Sequence, residues 1–279
     1  MYTYTSIYIR IMYFKIKSIE RTGNMKNIKD QRDVNRKKQV LFKNKNGDVI
    51  LTIAVQAPKG GSGKSTTSLQ LASYFSVEYK KKVIVVDKDE QGTSITFYNT
   101  YKNSENGVPF TVVTELTKEL IGDAEVIIWD YKPTWDQDVP AMAVVIPFVP
   151  APESIAPTIK QVNASYEAGK KVLMFANMVE MEHSRTATQK KVLAIMDKNN
   201  APYVIKRQAY PTCYMLGTTL YDESTSLPYI DKARNEFKQV IVELFKLFDG
   251  GRESDYFNPN IVDEVKENFG NQIVFSVDN

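Results

Sequence analysis

The sequence predicts an α/β protein with a mostly parallel, twisted sheet and helices on both faces. Three observations carry this. Short runs that are apolar throughout recur along the chain, as expected of strands covered on both sides. Stretches with helical spacing alternate with them. The first such run leads directly into a glycine-rich loop and then a helical pattern, in "VILTIAVQAPKGGSGKSTTSLQLASYF".

Each element has its own signal. At Val49 a polar, charged texture gives way to the β-branched run "VILTIAV". After the glycines, residues 64–79 place Leu69, Leu71, Ala72 and Phe75 at helical spacing. "KKVIVVDKD" is a second strand that ends in acid, "PFTVVTE" a third and "EVIIWDYKP" a fourth. "AVVIPFVPA", "KKVLMFANM" and "APYVIKR" complete the set, with helical stretches at about 153–168, 184–199 and 229–248 around them. The segment "AYPTCYMLGTTLYD" reads as core plus a loop. Several strands end in polar residues, namely Asp87, Asp130, Asn177 and Arg207. Ligands of open α/β sheets bind beyond the carboxyl ends of the strands, so these four point to one crevice.

The chain has 279 residues, 43% of them hydrophobic, which suits one large domain with tails. Cys213 is the only cysteine and His183 the only histidine. An internal disulfide is excluded, and a Cys/His zinc site and a histidine-based triad are both disfavoured. Charge is uneven. Residues 1–48 hold 12 Lys/Arg against 4 Asp/Glu, and residues 249–279 hold 2 against 7. The expected organisation is a basic, flexible arm over 1–48, one α/β domain over 49–248 and an acidic tail over 249–279. Such ends serve electrostatic contacts or are simply solvated. No run of about 18 apolar residues marks a membrane span. Arg10, Lys15 and Lys17 interrupt the apolar N-terminus, which makes it a poor signal peptide. Its alternation of Ile7, Ile9, Ile11 and Tyr13 also suits a strand, and Met1 and Met25 both stand as starts.

The glycine loop carries the chemistry. "GGSGKST" after a strand and before a helix is a phosphate-binding loop. Gly60, Gly61, Ser62 and Gly63 let backbone N–H groups face phosphate oxygens, and the helix N-terminus adds its positive dipole end. Lys64 reaches the β- and γ-phosphates, Ser65 can ligate Mg²⁺, and Thr66 can bond the α-phosphate. Asp130 closes an apolar strand and fits the acid that holds Mg²⁺ through water; a strand-end carboxylate capping the next turn is the alternative. Asp87 and Asp89 stand two apart, so in a strand end they share a face and can address one Mg²⁺–water cluster. A solvated charged turn is the alternative there.

The loop departs from the usual pattern at Pro58, where a glycine is expected, and it holds a second lysine, Lys59. "PKGGSGKSTTSLQLA", "VIVVDKDEQGTS" and "VIIWD" together resemble the deviant-Walker ATPases of the ParA/MinD group, and most closely ParA-type DNA partition ATPases. The resemblance covers about residues 50–245. It implies a P-loop NTPase fold, ATP and Mg²⁺ as ligands, and a cytoplasmic protein, nucleoid-associated when ATP-bound. It implies that Lys59 is the signature lysine, which reaches across an ATP-sandwich homodimer to phosphates held by the other subunit. A second cation there offsets charge that would repel two facing sites. By the same resemblance Asp89 serves hydrolysis, Asp87 the magnesium–water network and Asn177 the adenine, with the segment from Lys206 through Arg207 to Pro211 passing near the base.

Two positions depart from the group. Glu90 stands where a proline is usual, and Lys132 stands in "DYKP" where D-x-P-P is usual. "MEHSRTATQKK" and "VIKR" resemble the stretches that contact DNA in ParA-type proteins, with Arg185 the best match and Lys190, Lys191 and Arg207 as further candidates. Those contacts are to phosphates, hence sequence-independent and salt-sensitive. An ordinary solvated helix face accounts for the lysines about as well. The implied partners are non-specific DNA and a centromere-binding, ParB-like adaptor that triggers hydrolysis. The alternative is a MinD-like membrane-positioning ATPase. That role needs a basic amphipathic C-terminal helix, and the acidic tail counts against it.

Overall fold

The computed structural model describes residues 41–105, 107–133 and 139–248. Most of the N-terminal arm (1–40) and the acidic tail (249–279) lie outside the described residues. The strands are β1 (Leu51–Val55), β2 (Val83–Lys88), β3 (Thr111–Val113), β4 (Val126–Tyr131), β5 (Ala143–Phe148), β6 (Lys171–Val179) and β7 (Tyr203–Ile205). The helices are α1 (Lys64–Glu78), α2 (Thr93–Tyr101), α3 (Lys118–Asp123), α4 (Pro152–Glu167), α5 (Ala187–Lys198), α6 (Ala209–Leu216) and α7 (Ile230–Lys246).

The strands form one seven-stranded sheet in the order β3-β2-β4-β1-β5-β6-β7. Every pairing is parallel. β1 is central and fully buried, which is why "LTIAV" tolerates no charge. Its side chains alternate between two cores. Leu51, Ile53 and Val55 pack on one face with Leu69 and Leu71 of α1 and Phe237 and Ile241 of α7. Ile50 and Ala54 face the other way, towards Ile155 and Ile159 of α4 and Val192 and Met196 of α5. In α7 the buried Ala233, Phe237, Val240, Ile241 and Leu244 recur every three or four residues, which gives it a single apolar stripe.

All seven expected strands and the four expected helices are present. Three further helices, α2, α3 and α6, were not foreseen. α2 reads "TSITFYNTY" and α6 reads "AYPTCYML", both rich in β-branched or aromatic residues of modest helix propensity. Packing decides them instead. Phe97 of α2 is buried and lies 5.3 Å, ring to ring, from Tyr214 of α6. α5 starts at Ala187, where the Thr186 hydroxyl accepts from the Gln189 N–H and caps it.

The last residues of the expected arm pack on this domain. Lys43 bridges Val49 in antiparallel fashion, the Phe42 ring lies 6.4 Å from Trp129, and Lys45 pairs with Asp123 at 2.7 Å.

Candidate functional site: the loop after the central strand

The chain leaves β1 at the centre of the sheet, and the loop 56–63 wraps into the start of α1. Gly61 and Gly63 have φ of 72° and 89°, which side chains rarely adopt. The α1 N-terminus has no side-chain cap, so its N–H groups remain available to an anion. Asn177, at the end of β6, donates from Nδ2 to the Ser62 carbonyl at 2.8 Å and braces the loop from behind.

Lys64 lies beneath the loop, 6% exposed, with Nζ 3.4 Å from the Lys59 carbonyl. Burial pulls its ammonium below the usual lysine range, while Asp89 and Asp130 pull it back. The strand register explains why acids gather here. β2 pairs with β4 so that Asp87 lies beside Asp130, and β1 pairs with β4 so that Val55, just before the loop, lies beside Asp130 as well.

Asp130 is fully buried. Its Oδ2 accepts from the Ser94 hydroxyl at 2.7 Å, and its Oδ1 has no hydrogen-bond partner. Burial pushes its pKa up to about 6; the Ser94 and Ser65 hydroxyls oppose the rise and the Asp87 charge adds to it. The Ser62 hydroxyl is also buried and unpartnered. Buried polar atoms of this kind call for a ligand or ordered water. A loop with open N–H groups, a buried lysine and an orphaned carboxylate oxygen beside a serine fits a phosphate chain with its divalent cation. Among the described residues no three His, Cys, Asp or Glu cluster as a metal cage.

Asp87 is buried and its two oxygens are engaged: Oδ1 accepts from the Asp89 N–H at 3.1 Å and Oδ2 from the Ile95 N–H at 2.9 Å. It shapes the loop that carries Asp89 and closes onto α2. Asp89 is half-buried, and its Oδ1 accepts from the Gln91 N–H at 3.0 Å. The two carboxylates therefore differ, since backbone N–H groups engage both oxygens of Asp87 but one of Asp89.

Lys59 is half-buried on the rim of a pocket of about 310 Å³, lined by Pro58, Gly60, Ser62, Glu153 and Thr158 among others. Ser65 and Thr66 are half-buried in the first turn of α1. Arg207 forms an ion pair with Glu236 of α7, Nε to Oε2 at 3.0 Å, and Pro211 is exposed on α6. Of the proposed DNA contacts, Arg185 is half-buried and donates from Nε to the Glu180 carbonyl at 3.1 Å, while Lys190 and Lys191 are exposed on α5. Cys213 is a buried core residue, as expected. Ser94 was missed by sequence reasoning, although it closes the stretch "DKDEQGTS" that drew attention to Asp87 and Asp89.

The sheet order, the loop after its central strand and the acid on the adjoining strand define a P-loop protein of the α/β class. The sequence matches the CobQ/CobB/MinD/ParA nucleotide binding domain over residues 53–210, and the chain belongs to that family. Among curated proteins none matches significantly. Solved structures share the fold. A plasmid partition protein of Borrelia burgdorferi bound to AMPPNP is 13% identical, with a TM-score of 0.52 over 70% of this chain and 99% of its own. McdA of Cyanothece is 13% identical, TM-score 0.51, over 69% and 99%. MinD of Pyrococcus horikoshii with Mg-ADP is 15% identical, TM-score 0.51, over 71% and 97%.

Proposed function

We propose that this chain is a Mg²⁺-dependent ATPase of the ParA type that serves partition of plasmid, phage or chromosomal DNA. In this reading ATP drives a sandwich dimer, the dimer binds DNA without sequence preference, and a centromere-binding partner stimulates hydrolysis and release. The observation that carries it is Lys59. Among the described residues its ammonium meets no carboxylate, although it stands on the phosphate loop beside an open pocket. A cation so placed has an anion to find, and a nucleotide on a second subunit supplies one. The Borrelia protein, whose fold is shared, carries AMPPNP and is a plasmid partition protein.

The residues have the following tasks. Lys64 and the loop N–H groups bind and orient the triphosphate. The Ser65 hydroxyl and, through water, Asp130 hold Mg²⁺, which supplies charge neutralisation between the β- and γ-phosphates. Asp89 orients the attacking water. Asp87 fixes the Asp89 loop. Asn177, Arg207 and Pro211 border the base side, and Arg185, Lys190 and Lys191 offer a basic face to phosphates of DNA, in a protein acting in the cytoplasm and on the nucleoid.

The test is DNA retention with ATP, with ADP and without nucleotide, at two salt concentrations, with Lys59→Ala alongside. Retention should require ATP and fall with salt. Lys59→Ala should keep most nucleotide affinity and lose both the ATP-driven dimer and DNA retention. A Lys59→Ala protein that dimerises normally with ATP removes the cross-subunit role. MinD from Pyrococcus horikoshii shares the fold equally well. A liposome arm therefore belongs in the same experiment, and ATP-dependent sedimentation with liposomes in place of DNA would favour the membrane-positioning role.

A further inference from the structure

Glu90 and Lys132, the two positions at which the sequence departs from the ParA/MinD pattern, meet each other. Lys132 Nζ lies 2.8 Å from Glu90 Oε1. The register brings them together: β2 and β4 end side by side, with Lys88 opposite Tyr131, and Glu90 and Lys132 follow these two ends. Glu90 follows Asp89, and Lys132 stands two residues beyond Asp130. Both side chains are more than half exposed, at 85% and 51%.

The Asp89 charge bears on two lysines, buried Lys64 and exposed Lys132. Its carboxylate is tied to the fold by one hydrogen bond, from the Gln91 N–H. Of these two lysines Lys132 is the exposed one, and Glu90 occupies its ammonium. In the group's usual pattern both positions are prolines, which fix the backbone without charge. Here a charge pair stands in their place, and a charge pair can be released.

We propose that Glu90 and Lys132 form a positioning pair for the hydrolytic step: Glu90 holds Lys132 away from Asp89, so that Asp89 stays directed at the nucleotide. This rests on the ATPase reading. It makes an asymmetric prediction. Removing Glu90 leaves Lys132 free to capture Asp89, whereas removing Lys132 as well takes away the captor.

The experiment is a double-mutant cycle on the full chain, with Glu90→Gln, Lys132→Gln and the pair together. Two readouts are taken: affinity for a fluorescent ATP analogue, and steady-state turnover with Mg²⁺ at low and high salt. Glu90→Gln should lower kcat about threefold with unchanged nucleotide affinity, a modest effect in keeping with an exposed pair. High salt should shrink the deficit, because it screens Lys132 from Asp89. Adding Lys132→Gln should restore most of the lost turnover. Parent-like kcat in Glu90→Gln overturns the inference, as does a double variant no faster than Glu90→Gln, and in both cases the ATPase reading stands. A parent protein that binds nucleotide but turns none over overturns both.

Discussion

The Asn177 amide nitrogen lies 2.8 Å from the Ser62 carbonyl and 2.3 Å from the point where a β-carbon on Gly63 would stand. The end of β6 and the phosphate loop are thus in contact with no room for a methyl group between them. Sequence reading assigned Asn177 to the adenine. In this structure its amide hydrogen bond goes to the loop, and the residue ties the position of β6 to the shape of the phosphate cradle.

Gly63→Ala should therefore fail twice, once through the contact with Asn177 and once through φ of 89°. The backbone cost alone is about 1–3 kcal/mol. The variant should melt at a lower temperature and lose at least about tenfold in affinity for an ATP analogue, as a tilted first turn misdirects its N–H groups. Gly60→Ala is the control for stability, since nothing lies within 4 Å of its β-carbon and its φ is not positive. Thermal melts of the two variants check this. Equal melting temperatures would show that the Asn177 contact yields easily.

Burial of Asp130 is a cost to the fold: its carboxyl is pushed up to about 6 and its Oδ1 is unpartnered. Asp130→Asn keeps an acceptor for the Ser94 hydroxyl and removes the buried charge. At pH 7.5 without nucleotide it should raise the melting temperature by about 3–6 °C, the shift expected for a gain of one or two kcal/mol in a domain of this size. The same variant should lose Mg²⁺-dependent turnover. Calorimetry and a phosphate-release assay read the two effects separately. A lower melting temperature would mean that Asp130 holds the fold together and that its burial is not a cost.

The strands were legible because a parallel sheet covered on both faces demands unbroken apolar runs, and "LTIAV", "VIIWD" and "AVVIPF" are such runs. α1 and α7 were legible from the spacing of their apolar residues. α2 and α6 were not, since contacts distant in sequence, such as Phe97 with Tyr214, hold them, and α3, six residues with none buried, is too short to show a period. The loop lysines, Ser65, Asp89 and Asp130 could be named from motif and strand ends alone. Whether Asp87 faced the site or the fold could not, because that depends on the N–H groups of Asp89 and Ile95 folding back onto it. The pairing of Glu90 with Lys132 was equally hidden. It follows from β2 and β4 being neighbours, a strand order that no local pattern encodes.

Cys213 offers a test of burial on α6. It is fully buried, and burial pushes its thiol up to about 11, with Arg234 opposing and Asp222 adding. The folded-state pKa is raised, so the folded protein holds its proton while the unfolded chain gives it up first. The stabilisation is complete below about pH 9 and is lost as pH rises towards 11. Burial also raises the pKa values of Tyr74, Tyr210 and Tyr221, so they add to the loss in alkali. Parent and Cys213→Ala should therefore both weaken between pH 9 and 11, but the parent more steeply, by up to about 1.4 kcal/mol per pH unit for the one extra proton. Cys213→Ala starts lower, because the deleted sulfur leaves a cavity. Urea unfolding at half-unit pH steps measures the two slopes. A thiol-labelling reagent should leave the native protein unmodified at pH 8 and react in unfolding urea. Parallel slopes, or prompt labelling of the native protein, would place Cys213 within reach of solvent and α6 loosely seated.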